Sequence, residues 1–119
     1  MTGCEAVITQ VAGGAVIAMS GDVDGSAADV LSGAYERAVA GGDPATVVLD
    51  FSCVGYINST GIALIVSVLA MARSQRRKVV ACGLSDHYRE IFDITRLSDF
   101  IELFGGLDEA VSQLIQAAG

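Results

Sequence analysis

The residues best placed to do chemistry are the two adjacent hydroxyls of Asn58-Ser59-Thr60-Gly61. A serine hydroxyl becomes a nucleophile when a neighbouring base takes its proton. The chain has one histidine, so an esterase-like reading would need His87 brought to Ser59 from another loop. No serine sits in a Gly-x-Ser-x-Gly elbow, and no Walker-type phosphate loop occurs. No catalytic constellation is therefore expected. The same small polar residues also suit the start of a helix, where the side-chain oxygen of Asn58 or Ser59 would accept free backbone N–H groups. Asp22-Val23-Asp24-Gly25-Ser26 offers paired carboxylates, but its glycine comes too early for a calcium loop, so Asp24 and Ser26 are read as loop and capping residues. Cys4, Cys53 and Cys82 are widely spaced and form no Cys-x-x-Cys pair. They are expected to be buried, reduced thiols rather than zinc ligands, in a cytoplasmic protein. No metal and no cofactor are expected.

These residues need elements to hold them. Glu5–Val11 and Ala15–Met19 read as a hairpin about Gly13-Gly14, followed by a loop over Gly21–Gly25. Ser26, with Asp29 three residues on, predicts a helix N-terminus, and Gly41-Gly42 ends that helix. Thr46–Phe51 is almost continuously apolar, as in a strand buried on both faces. A loop over Ser52–Thr60 and a helix to about Gln75 follow. Lys78–Gly83 predicts another buried strand. Asp86–Ile94 predicts a short helix with Ile91 and Ile94 on one face. Phe100–Phe104 reads as the last strand and Asp108–Ala117 as the closing helix, apolar at Ala110, Val111, Leu114 and Ile115. The order ββαβαβαβα predicts one α/β domain over residues 1–119, with a mixed, mostly parallel sheet of about five strands and four helices. Ligands of such folds meet loops at the carboxyl ends of strands, here Gly21–Gly25 and Ser52–Thr60.

The helix after Ser59 carries a second signal. At a hundred degrees per residue, Ile62, Leu64, Ile65, Val68 and Leu69 form a bulky arc suited to packing on the sheet. The remaining arc holds Thr60, Ala63, Ser67, Ala70 and Ser74, all small and uncharged, whereas a solvated helix face normally carries charge. Either a neighbouring helix of the same domain packs there, or another protein docks there.

Composition narrows the classes. The chain of 119 residues is 52% apolar and 18% charged, which excludes disorder. A net charge of −7 argues against nucleic acid as a partner. The basic cluster Arg73, Arg76, Arg77 and Lys78 falls at a helix end, where cations complement the dipole. No signal-peptide pattern is read, and the apolar stretch Gly61–Ala72 is too short to span a bilayer, so direct membrane insertion is not expected.

Asp50-Phe51-Ser52 and Tyr56-Ile57-Asn58-Ser59-Thr60-Gly61-Ile62, with Gly21-Asp22-Val23-Asp24 before them and Leu107-Asp108-Glu109-Ala110 after, resemble the STAS domain family, and within it the bacterial anti-sigma factor antagonists. The resemblance spans nearly the whole chain. It implies a binding module that regulates transcription rather than an enzyme. The partner it implies is an anti-sigma factor with serine kinase activity, bound by the unphosphorylated antagonist and released on phosphorylation. A PP2C-type phosphatase would reset the switch. The acceptor position corresponds to Ser59, with Thr60 as the alternative; Asp24 matches a position near the acceptor, and Asn58 stands where Asp is common. The partner-binding residues expected are Asp22, Asp24, Asn58, Thr60, Gly61, Ala63, Ser67 and Ala70. A phosphate adds about −1.5 to −2 charge, which a helix N-terminus tolerates but a neutral docking face does not. The alternative within the family is a constitutive STAS scaffold, stressosome-like, or an accessory subunit of a lipid or anion transporter.

Overall fold

The computed structural model describes residues 3–118, with side chains as far as Leu114. Its elements are β1 (Glu5–Val11), β2 (Gly14–Val23), α1 (Ala28–Ala40), β3 (Thr46–Ile57), α2 (Ser59–Ser74), β4 (Lys78–Cys82), α3 (Asp86–Ile94), β5 (Glu102–Phe104) and α4 (Leu107–Ala118). Short 3₁₀ turns at Gly25–Ala27 and Leu97–Asp99 precede α1 and β5. The five strands lie in chain order, β1-β2-β3-β4-β5. Only the β1–β2 pair is antiparallel. The predicted order and the interior place of Thr46–Phe51 therefore hold.

Strand side chains alternate between two cores, as the two-residue period requires. Ile17 and Met19 of β2, Val47, Leu49 and Phe51 of β3, and Val79 and Ala81 of β4 face one way. There they meet Leu31, Ala34, Tyr35 and Ala38 of α1, Ile65, Val68 and Ala72 of α2, and Phe92 of α3. Phe51 and Phe92 meet edge to face, with ring centres 6.1 Å apart. The intervening residues Val16, Val48, Val80 and Cys82 form a smaller core under Ala110 and Leu114 of α4. The Ile115 side chain lies outside the described residues.

Several boundaries differ from expectation. The two loops expected to carry function are largely strand: β2 continues to Val23 and β3 to Ile57, still paired in parallel. Their register shifts twice, between Ala18 and Ser20 and between Gly21 and Asp22, so β3 carries extra residues and bends. β4 stops at Cys82, opposite Asp50. Gly83 takes a φ of +78° there and lies so close to Ser52 that a Cβ would meet its backbone nitrogen at 2.6 Å. Beyond Asp50, then, β2 and β3 run on as a two-stranded tongue that carries Asn58 and Ser59 past the rest of the sheet.

Asp24, not Ser26, caps the turn before α1, accepting from the Ser26 backbone N–H at 3.0 Å and the Ser26 hydroxyl at 2.5 Å. On α3 the buried residue is Phe92, and Ile94 is 71% exposed, because a nine-residue helix against the sheet edge buries a narrow stripe. Phe100 and Ile101 lie outside β5, which pairs only from Glu102. Cys4 and Cys82 are buried free thiols, whereas Cys53 is exposed on the tongue. Burial, aided by Asp50, pushes the Cys82 thiol up to about 12.

Candidate functional site

The hydroxyl pair sits where β3 turns into α2. Ile57 is buried, and its backbone N–H donates to the Tyr88 hydroxyl of α3 at 2.9 Å. The next N–H, of Asn58, donates to the Val23 carbonyl at the end of β2 at 3.3 Å. Asn58 then caps α2: its side-chain Oδ1 accepts from the Gly61 N–H at 2.8 Å. Of the two capping candidates left open by the sequence, Asn58 takes the role and Ser59 becomes the first helical residue. Gly61 has no room for a side chain, since a Cβ there would lie 1.9 Å from the Val23 carbonyl oxygen. The small residue lets the helix start rest on the end of β2 and fixes Ser59 and Thr60 on the outside, both exposed.

The turn capped by Asp24 lies alongside. A Cβ on Gly25 would stand 3.5 Å from the Thr60 methyl carbon. The hydrogen bonds from Ser26 hold the Asp24 carboxyl below its ordinary value, so it is a fixed negative charge at neutral pH. Asp24, Asn58, Thr60 and Gly61 thus share one corner of the molecule. Asp22 faces a different set of residues. It pairs with Tyr56 in the strand register and lines a separate shallow cleft with Cys4, Ser20 and Cys53.

Ala63, Ser67, Ala70 and Ser74 are exposed, so among the described residues no helix covers the small stripe. Two bulkier residues belong to the same face: Val66 is 44% exposed and Met71 46%. The sequence reading missed them because it sorted the helix by side-chain size. The hundred-degree spacing alone puts one on each edge of the small arc. Two of the hydroxyls on this face, those of Ser67 and Ser74, are already satisfied. Ser67 donates to the Ala63 carbonyl at 3.1 Å and Ser74 to that of Met71 at 2.7 Å. From Ser59 to Ala72 the helix has no charge, so this face can leave water without stripping an ion.

His87 does not serve Ser59 as a base in this arrangement. It is exposed, with its ring edge-on to Tyr88 at 4.9 Å between centres, and among the described residues neither His87 nor the Ser59 hydroxyl makes a hydrogen bond. Tyr88, its neighbour, anchors the end of β3, a role the sequence reading did not assign. No group of three or more His, Cys, Asp or Glu among the described residues could hold a metal, and no described helix is long and apolar enough to cross a membrane.

Comparison with known proteins places this architecture. The anti-sigma-B factor antagonist of Listeria monocytogenes is 38% identical over 55 residues, which is 46% of this chain and 48% of that protein. The chain spans about half the length of the curated relatives it matches. The crystal structure of an anti-sigma factor antagonist from Mycobacterium paratuberculosis superposes with a TM-score of 0.73 at 25% identity, covering 93% of each chain. The Bacillus cell fate determinant SpoIIAA in its phosphorylated form shares the fold, with a TM-score of 0.70 at 16% identity over 92% of this chain and 98% of that one. The STAS domain family matches residues 5–110, from the first strand into α4 and across every residue of the corner described above, and this chain belongs to it.

Proposed function

We propose that this protein is an anti-sigma factor antagonist that works by binding rather than by catalysis. In the unphosphorylated state it docks the uncharged face of α2 on an anti-sigma factor with serine kinase activity. Phosphorylation of Ser59 releases it, and a PP2C-type phosphatase resets it. One observation carries this reading: an exposed serine is the first residue of a helix whose outer face is exposed and uncharged, with the Ser67 and Ser74 hydroxyls spent on the helix's own carbonyls. A phosphate on Ser59 sits at a helix N-terminus, where free N–H groups accept an anion, so the fold survives. The docking face does not stay the same. A dianion appears at its edge, beside the fixed charge of Asp24, and a partner would have to desolvate it.

The test is to mix the protein with an anti-sigma factor kinase, with and without ATP, and to map the phosphopeptide. Ser59→Ala should bind and resist phosphorylation; Ser59→Asp should bind weakly. Phosphate on Thr60 would move the acceptor by one residue. The neutral Asn58, where Asp is common among the antagonists this chain resembles, favours a second reading: a STAS module that binds constitutively, as a scaffold or transporter subunit. Absence of phosphate at both hydroxyls, with Ser59→Asp binding like the parent, would select it.

A further inference from the structure

A groove of about 560 Å³ lies at the other end of α2, and its size falls in the range of small-ligand sites. Three segments wall it: the last turns of α2, the start of β4, and the connection from α3 to β5. Val66, Leu69, Ala70, Val79 and Leu97 supply apolar surface, and Phe100, 62% exposed, stands over it. The lining holds four of the chain's seven Lys and Arg and not one Asp or Glu, in a protein of net charge −7.

Those cations are not equivalent. Arg77 is paired with Asp43 at 2.7 Å, Arg96 with Asp99 at 2.8 Å and Lys78 with Glu102 at 3.7 Å. Arg73 has no carboxylate within reach among the described residues; its guanidinium lies 5.8 Å from the centre of the Phe100 ring, which orients it. The one other polar lining side chain, Thr95, spends its hydroxyl on the carbonyls of Ile91 and Phe92. The site therefore offers one cation with no carboxylate partner, Arg73, beside three that share their charge with neighbouring carboxylates. A sugar or a base would set its polar atoms against the apolar wall of Val66, Leu69, Ala70, Val79 and Leu97, where they find no partners.

We propose that this groove binds a medium-chain alkyl carboxylate, its chain along Val66, Ala70 and Leu97 beneath Phe100 and its head on the Arg73 guanidinium. A guanidinium fork matches a carboxylate in shape as well as charge. The rest of the protein is net negative and repels anions, so binding elsewhere is disfavoured.

The test is titration of the full chain with decanoate below its micellar concentration, followed by amide NMR shifts and calorimetry, with decanol as the uncharged control. Decanoate should bind one to one, shift Val66, Ala70, Leu97 and Phe100, and bind at least tenfold more tightly than decanol. Arg73→Gln should weaken it at least tenfold, Ala70→Trp should block it by filling the groove, and Arg89→Gln, on α3 outside the groove, should leave it unchanged. No saturable binding by the parent overturns the proposal. So does parental affinity in Arg73→Gln, or decanol binding as tightly as decanoate.

Discussion

At its N-terminal end α2 is held by backbone: Gly61 lies against the Val23 carbonyl, Asn58 closes the first turn, and the residues facing solvent are small and neutral. At its C-terminal end the helix is held by side chains. Ala72 is buried, Tyr35 of α1 donates its hydroxyl to Gln75 at 2.7 Å, Arg77 reaches the Pro44 carbonyl at 2.6 Å, and the cations gather. The first arrangement fixes geometry and leaves the surface free to accept or lose a charge. The second commits most of its charges to neighbours. One helix can thus present a neutral face that starts at Ser59 and passes, through Val66 and Ala70, into a groove whose cation, Arg73, stands roughly 20 Å from Ser59, because each residue adds about 1.5 Å of rise.

The sharpest way to break this contrast is to put a charge on the neutral end. Ala63→Arg or Ser67→Arg should leave the fold intact and cost partner binding on the order of 2–5 kcal/mol, well over tenfold in affinity. Arg73→Gln at the other end should leave that binding unchanged. Pull-down with the anti-sigma factor and circular dichroism of the same samples check both. If the arginine variants fail to fold, the face is internal packing.

Next in size is the tight backbone contact. Gly61→Ala forces a Cβ against the Val23 carbonyl and should destabilise the protein by about 3 kcal/mol, the upper part of the range for overpacking. Gly106→Ala, with nothing within 4 Å, should cost well under about 1 kcal/mol beside it. Urea denaturation of the pair separates contact from glycine chemistry. Asn58→Ala should then cost about 1 kcal/mol through loss of the cap, and Asn58→Asp should restore it. Tyr88→Phe should cost about 1 kcal/mol by leaving the buried-end N–H of Ile57 without its acceptor.

The smallest effects are chemical and acid-base. Alkylation at pH 8 should label Cys53 first, and Cys4 and Cys82 only on unfolding, because burial raises both of those thiols. Asp24 has a folded value below its ordinary 3.8, so its contribution is present above that pH and is lost as the pH falls further. Asp24→Asn should remove that part of the acid-side loss of stability, read from thermal melts between pH 5 and pH 2.

The sheet was legible because Thr46–Phe51 and Lys78–Cys82 are apolar on both faces, a pattern only an interior parallel strand needs. The exposed stripe on α2 was legible from spacing and from missing charge. What escaped was set by long-range contact. Tyr56 and Gly55 look like loop residues, and β3 extends through them only because β2 is alongside to pair with. Nothing local marks Tyr88 as the anchor of Ile57, thirty-one positions away. The groove escaped because Phe100 and Arg73 meet only after α3 has folded back across the sheet end.

Sheet order that repeats chain order has a consequence for how this molecule is made. Each strand finds its partner in the strand completed just before it, so no segment waits for a distant one and loop-closure entropy is kept low. The hairpin β1–β2 can form first, and each later crossover helix returns the chain one place along a growing edge. During synthesis the growing edge is always the newest strand, and it is paired within a few tens of residues by the next, while β1 stays at the other edge throughout. Asp24, Asn58 and Ser59 all precede β4 and β5 in the chain, so the strands that carry this corner can pair early, and the Tyr88 hydroxyl that fixes Ile57 arrives later, with α3.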